Sequence, residues 1–249
     1  MPQLRLERGV SVGTGTPYEK LKPGPGMSPA AVARNQRARI EAAMVEILAD
    51  QDFDAITVRD LTRRAAVSTR TFYRCFTDRE ECFLSVQEQM ARGLLLEMSA
   101  SQAGAANAED RMRRLIEAFL RVSDRDIDAM RLILIDAQAA GRRARAEARR
   151  MQRSMEMSVS YCFSDLSMGP DARRRVVEGV GAGLIGVTRS RLLREEREFT
   201  LLGLSDELSG WALAYHDPAL AELEGLDRPA ALIDSDLDHP EGRRSGDVD

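Results

Sequence analysis

From Ser28 to about residue 216 the apolar residues recur at three- and four-residue spacing, with no sustained two-residue alternation between them. That period admits helices and gives no basis for a sheet, so the expected fold class is all-α. The first helix opens on Ser28-Pro29, a hydroxyl cap followed by a proline at the first helical position, where no N–H is needed. Ile40, Ala43, Met44, Ile47 and Leu48 form one apolar stripe, and the helix is expected to end near Asp50. The loop DFDAI leads to Thr57, which caps a short second helix carrying Val58, Leu61 and Ala65. Ser68 caps a third helix, and Thr77, with Glu80 three residues on, has the pattern of a capping box for a fourth running to about Ser99. Further helices are expected over 109–122, 125–139, 142–167, 171–196 and 205–216.

The two ends read differently. Residues 1–27 are rich in Gly, Pro, Ser and Thr, and such a segment buries too little apolar surface to offset its ordering entropy. A disordered N-terminal extension is expected there, and Met27, directly before the helix signal, is a second candidate start. Residues 217–249 carry ten acidic residues against three arginines. Leu220, Leu223 and Leu226 allow one short helix in an otherwise mobile acidic tail. Between the ends the expected division is a head at 28–76 and a body at 77–216.

Composition excludes several classes. The longest apolar run, around Leu132 to Ile135, is far short of the roughly 18 residues of a membrane span, and no signal-peptide segment opens the chain. The three cysteines, Cys75, Cys82 and Cys162, have no metal-ligand spacing and suggest a reducing, cytoplasmic setting. The two histidines, His216 and His239, lie in or beside the acidic tail, and no nucleophile sits near a base, so no enzyme, metal or cofactor is expected. GVGAGLIG (179–186) resembles a nucleotide loop only superficially, because it follows a charged helical stretch and not a strand; its small residues suit close helix packing. Arginine supplies 34 of the 36 basic residues, a bias that fits a GC-rich genome better than a function.

The net charge of −4 hides a local basic patch: Thr57 to Arg79 holds six arginines against Asp60 and Asp78. This stretch, TVRDLTRRAAVSTRTFYRCFTDREECF to Phe83, reads as two short helices around a tight turn at Ala65-Ala66-Val67. A helix-turn-helix of this kind lays its second helix in the major groove. Val58, Leu61, Ala65, Val67, Phe72 and Phe76 hold the unit against the first helix. Ser68, Thr69, Arg70, Thr71 and Arg74 are left on the outside, hydroxyls and guanidiniums suited to base edges and phosphates. Tyr73 either offers its hydroxyl to a phosphate or simply packs. Arg63 and Arg64 have the same two readings, phosphate contact or solvated face. The run RRARAEARRMQR (142–153) reads as a solvated helix face, since its arginines surround the helix and Glu147 interrupts them.

The spacing of Phe53, Thr57-Val58, Asp60-Leu61, Ala65, Val67-Ser68, Thr71-Phe72-Tyr73, Phe76, Asp78 and Glu80 resembles the N-terminal domain of the TetR family over about 30 contiguous residues. The resemblance implies a three-helix DNA-binding head on a helical ligand-binding and dimerisation body. It places Thr69, Arg70 and Thr71 at recognition positions, Tyr73 at a phosphate-contacting tyrosine, and Arg79 at a basic residue opening the fourth helix; Arg59 completes the candidate set. Three positions depart from the pattern. Ala66 stands where the family usually has glycine, and a left-handed conformation there costs alanine about 1 kcal/mol. Thr62 replaces a usual alanine, and Cys75 replaces a residue that often reaches a phosphate.

The body is less legible. Its methionines (90, 98, 112, 130, 151, 155, 157 and 168) either fill the core or line a cavity, as methionine adapts to irregular apolar space. Met98, Phe119, Met130, Met155 and Tyr161, with Phe163 nearby, are the candidate effector-site residues. The resemblance puts a homodimer contact on the last two long helices. Val176, Val177, Val180, Leu184 and Val187 form a stripe there, with Gly179, Gly181, Gly183 and Gly186 allowing close approach. Leu208, Trp211, Leu213 and Tyr215 supply an opposing face. The same stripe packing inside its own subunit is the competing reading. The expected partners are therefore double-stranded DNA, a second copy and a small-molecule effector, with no membrane. The expected function is a ligand-responsive repressor on a near-palindromic operator. A helical dimer that binds a protein partner and has lost DNA binding is the alternative, against which the basic recognition segment argues.

Overall fold

The computed structural model describes residues 5–6, 10–11, 28–166, 168–194 and 200–214. Ten α-helices run through it in chain order: α1 (Pro29–Leu48), α2 (Val58–Arg64), α3 (Thr69–Cys75), α4 (Arg79–Ser101), α5 (Ala108–Arg125), α6 (Ile127–Arg131), α7 (Ala137–Ala139), α8 (Arg142–Cys162), α9 (Pro170–Arg194) and α10 (Ser205–Ala214). The fold is all-α as expected. The departure from a strand-free chain is a ladder of two residues a side, β1 (Arg5–Leu6) antiparallel to β2 (Val10–Ser11), too short to support a sheet. It falls in the segment expected to be disordered. The other residues of that segment, and the whole acidic tail with its leucines and histidines, lie outside the described residues.

Capping chemistry sets most helix starts. Ser28 Oγ accepts the Ala31 N–H at 3.1 Å, and Asn107 Oδ1 accepts the Asp110 N–H at 2.9 Å. At α4 the cap lies one residue later than the sequence suggested. Asp78 accepts the Glu81 N–H at 2.7 Å, and Glu81 reaches back to the Thr77 N–H at 2.6 Å. Thr77 and Glu80 do not form the box because Asp78, a charged acceptor, takes the N-cap position and its third residue is Glu81. The Glu81 carboxyl is held below its ordinary range by the hydrogen bonds from Thr77.

The helix expected over 125–139 is three pieces. Between α6 and α7 the turn widens into a π-helical segment, Leu132–Asp136, so the long apolar run is neither a regular helix nor a loop. The next start, α8, follows Gly141 at φ +100°. A Cβ at Gly141 would stand 2.8 Å from a carboxylate oxygen of Glu80, the movable end of a flexible side chain, so it is the backbone conformation that requires glycine.

α4 and α8 run side by side in the same direction. The start of α4 meets the start of α8 at Glu80 and Gly141, Gln87 donates to the Ala144 carbonyl at 3.0 Å, and the far ends meet where the Cys162 thiol donates to Gln102 at 3.3 Å. α5 lies against both and against α10. Asp124, at the end of α5, accepts the N–H groups of Leu201 and Leu202 at 2.9 Å each and pairs with Arg191. That carboxylate ties the 3-10 turn before α10 to α5 and α9. One apolar cluster runs unbroken from Ile40 in α1 through Phe72, Phe83, Phe119 and Met155 to Ala212 in α10, so head and body share a core.

Candidate DNA-recognition surface

α2 and α3 have seven residues each, too few to be stable alone. Their termini are therefore satisfied one by one. Thr57 accepts the Asp60 N–H at 3.2 Å while Asp60 accepts the Thr57 N–H at 3.1 Å, a reciprocal box. The Thr57 hydrogen bonds hold the Asp60 carboxyl below its usual range. Ser68 Oγ accepts the Thr71 N–H at 3.0 Å and lies 2.9 Å from the Thr71 hydroxyl.

Between these helices Ala66 adopts φ +49°, the one described non-glycine residue with positive φ. Its N–H reaches the Arg63 carbonyl at 3.2 Å and that of Val67 reaches the Thr62 carbonyl at 3.0 Å, a Schellman closure of α2. The sequence raised the cost of an alanine here. It did not show what opposes that cost: buried Arg39 of α1 donates to the carbonyls of Ala65 and, at 3.1 Å, of Ala66. A charged donor is among the stronger partners a turn carbonyl can have.

With Phe72 and Leu61 fully buried beneath, α3 presents Ser68, Thr69, Arg70, Tyr73 and Arg74 to solvent, with Thr71 partly covered. The Tyr73 ring, 57% exposed, packs edge-on against Phe72 at 5.4 Å. Both readings of that tyrosine are thus compatible, since packing orients the ring while the side chain stays open to solvent. Arg74 donates to Gln36 at 2.9 Å, and Arg59 is exposed on α2. Arg63 pairs with Asp60 at 2.7 Å and Arg64 pairs with Glu46, so both are held by neighbouring carboxylates.

Arg79 departs from expectation. Its guanidinium donates to the carbonyls of Phe53 (2.8 Å), Asp54 (3.0 Å) and Ile56. It also lies 4.6 Å over the Phe53 ring. The Phe53 carbonyl already accepts the Ile56 N–H at 3.1 Å within the 3-10 turn Phe53–Ala55, so the arginine is a second donor to it as well as a donor to the carbonyls of Asp54 and Ile56. Arg79 is therefore a clamp on the turn before α2. The sequence reading singled out neither Arg37 nor Arg39; Arg37 donates to the Cys75 carbonyl at 2.9 Å and buried Arg39 to those of Ala65 and Ala66. A signal for Arg39 was that it lies one turn before the buried Ala43.

Four of the five candidate effector-site residues lie in the core and the fifth at the surface. Met98, Phe119, Met130 and Met155 are fully buried in the shared core. Tyr161 is 57% exposed near the end of α8, beneath the Arg111 guanidinium at 5.7 Å, which corrects its assignment as a pocket residue. A groove of about 510 Å³ lies between α4 and α8, lined by Ala91, Leu95, Leu96, Met151 and Ser154 with Glu88, Arg92, Glu147 and Arg150 among its polar residues.

The predicted dimer stripe is corrected in the same way. Val180 and Leu184 are wholly buried within their own subunit, because the stripe faces the body. Gly183 is needed inside the chain: an added Cβ would meet the Trp211 ring at 2.5 Å, so Trp211 of α10 lies on α9 of the same chain. Val187 is half-buried and Tyr215 lies outside the described residues. The outer face of α9 carries Glu178, Ala182, Gly186, Arg189 and Leu193; Leu193 is 61% exposed.

No helix among the described residues is long and apolar enough to cross a membrane. A capped, buried-faced helical pair with an exposed second helix of hydroxyls and arginines defines a helix-turn-helix DNA-binding transcriptional regulator. Residues 40–86, the head and the start of α4, match the family described as bacterial regulatory proteins, tetR family. Among solved structures, the fatty acid degradation regulator FadR from Bacillus halodurans is 15% identical. It covers 78% of this chain and 97% of its own, with a TM-score of 0.61. FadR from Bacillus subtilis, solved in complex with stearoyl-CoA, is 14% identical and covers 71% and 97%, with a TM-score of 0.60. The MbdR regulator from Azoarcus sp. CIB is 17% identical and covers 72% and 97%, with a TM-score of 0.59. At these identities the likeness is one of fold.

Proposed function

We propose that the chain is a ligand-responsive repressor that binds a near-palindromic operator as a homodimer. The observation that carries this reading is the α3 surface, where Thr69, Arg70 and Tyr73 stand in solvent on a helix whose two ends and buried face are already satisfied. Arg70 supplies the fork that pairs with guanine, while Tyr73 and Arg59 serve phosphates. A symmetric dimer offers two such helices about one duplex turn apart, roughly 34–36 Å. The outer face of α9 supports the second copy. Gly179 and Gly186 have nothing within 4 Å of an added Cβ, and neither does Gly210 of α10. A partner helix can therefore come close beside Leu193. The groove between α4 and α8 is of a size suited to a small molecule, and its apolar floor, bordered by charges of both signs at Glu88, Arg92, Glu147 and Arg150, supports an amphipathic effector.

The test is selection of bound sequences from genomic DNA with purified protein, followed by titration of the selected operator. Arg70→Ala is expected to weaken binding by about 1–3 kcal/mol and to relax preference at one operator position. Tyr73→Phe is expected to weaken all sequences alike. Unchanged affinity in both variants would refute the contact assignment, and failure of the wild-type protein to select any sequence would refute DNA recognition itself.

A further inference from the structure

A polar junction at the end of the recognition helix has no part in the contacts assigned so far. Arg37 of α1 spends its guanidinium on three elements at once. Its Nε donates to Glu41 at 3.0 Å, one terminal nitrogen donates to the Cys75 carbonyl at 2.9 Å, and the other donates to Ser85 at 2.7 Å. The plane of the same group lies 4.2 Å from the centroid of Phe76. Cys75 is the last residue of α3 and Phe76 its C-cap, so Arg37 satisfies one of the carbonyls that a helix end leaves without a partner. Ser85 belongs to α4, the first helix of the body.

The anchor of this junction is Glu41, whose side chain is only 5% exposed. One of its oxygens accepts from Arg37, from Ser85 at 2.7 Å and from Gln89 at 3.1 Å. Gln89 also donates to Ser85 at 3.3 Å. A carboxylate this buried is retained only when it is paired and hydrogen-bonded, and here every donor comes from the interface of α1 with α4. The arrangement is stiff for geometric reasons. A planar fork with its nitrogens and its face all engaged has one orientation, which lysine cannot reproduce.

We infer that Arg37, held by Glu41, is a positioning residue for DNA recognition: it fixes the pose of the recognition helix α3 against the body helix α4, and so the spacing and tilt of the two recognition helices in the dimer. This rests on the DNA-binding reading above. Neither residue needs to touch DNA. Loss of the junction lets α3 pivot about its buried Phe72, which penalises binding that demands a fixed pose and spares non-specific attraction to phosphates.

The experiment uses the full-length protein and its selected operator, titrated across a range of salt concentrations beside a scrambled duplex, with thermal melting in parallel. Arg37→Ala and Glu41→Gln are expected to weaken operator binding tenfold or more while leaving affinity for the scrambled duplex within twofold. Arg37→Lys, which keeps the charge and loses the fork, is expected to fall close to Arg37→Ala. The dependence of log affinity on log salt is expected to keep its slope in all three, because no phosphate contact is removed. Ser85→Ala, which removes the hydroxyl's bonds but leaves Arg37 joined to Glu41 and to the Cys75 carbonyl, is expected to give a smaller loss of the same kind with a melting temperature near wild type. It therefore reports on positioning even if the Arg37 variants fold poorly. A slope shallower by about one in Arg37→Ala, with full rescue by lysine, would make Arg37 a direct phosphate contact and overturn the inference. Wild-type operator affinity in folded Arg37→Ala and in Ser85→Ala would overturn it too while leaving the DNA-binding reading intact. A wild-type protein that does not distinguish operator from scrambled duplex would overturn both.

Discussion

The head and the body are held together by different means. In the head, two seven-residue helices are fixed at their ends: by Thr57 and Ser68 at the starts, by Arg39 at the Ala66 turn and by Arg37 at the end of α3. In the body, helices of 18 to 25 residues are fixed along their lengths by buried side chains such as Leu115, Phe119, Met155 and Val180. Polar fixation at helix ends leaves the outer side chains of α3 open to solvent. Apolar fixation along the length consumes whole faces, so an apolar stripe in the body cannot be assigned to a partner until the packing is known. The comparison also locates vulnerability. The body fails when a face is charged, and the head fails when a terminus loses its donor.

The largest effect is expected from charging the buried face of α9. Val180→Asp places an unpaired carboxylate at a site with no exposure and is expected to cost about 3–5 kcal/mol, enough to abolish a cooperative thermal transition. Ala182→Arg, two residues on but on the exposed face, is expected to melt within a few degrees of wild type. Light scattering after size-exclusion chromatography is expected to show it as a monomer of 27.6 kDa and the wild-type protein at twice that mass. Equal melting of the two variants would remove the distinction between the faces of α9.

A smaller effect sharpens the seam between the regions. Asp136, in the π-helical segment of the body, is buried, and burial raises its carboxyl to about 6, with Arg131 opposing the shift and Asp52 of the head adding to it. A carboxyl raised above its unfolded value stabilises the fold while protonated, and that contribution is lost as pH rises from about 4 through about 6. Asp136→Asn is therefore expected to be more stable than wild type at pH 8, by at most about 3 kcal/mol. The gap should close by pH 4. Urea denaturation at the two pH values measures it, and a gap that persists at pH 4 would mean that the charge is not the cause.

The smallest effect tests the head's turn. Ala66→Gly relieves the left-handed strain, and the folded state is expected to gain about 1 kcal/mol or less. That is the reverse of the usual order of alanine and glycine in helices. A melting temperature below wild type would show that Arg39 and the Schellman bonds already absorb the strain.

Most of the head could be read from the chain because its determinants are local. Ser28-Pro29, Thr57 with Asp60, and Ser68 are recognisable as caps from residue type and position alone, and the exposed side of α3 follows from where Leu61 and Phe72 must go. The carbonyl contacts of Arg79 were not legible because its position within the family pattern says where its backbone lies and nothing of where a long side chain turns. The π-helical widening at Leu132–Asp136 was hidden for a related reason: a buried apolar run has no polar face to mark a change of period.

By itself, then, the sequence determined the all-helical fold and most of the helix starts, since each depends on contacts within a few residues. Only the tertiary structure decided that Val180 and Leu184 face inward, that Gly183 makes room for Trp211, and that Arg37, Arg39 and Arg79 serve carbonyls tens of residues away. The physical reason is common to all of them. Periodicity separates an apolar face from a polar one but does not name the neighbour that covers it, and a flexible cation bonds with whichever acceptor the packed chain brings within its reach.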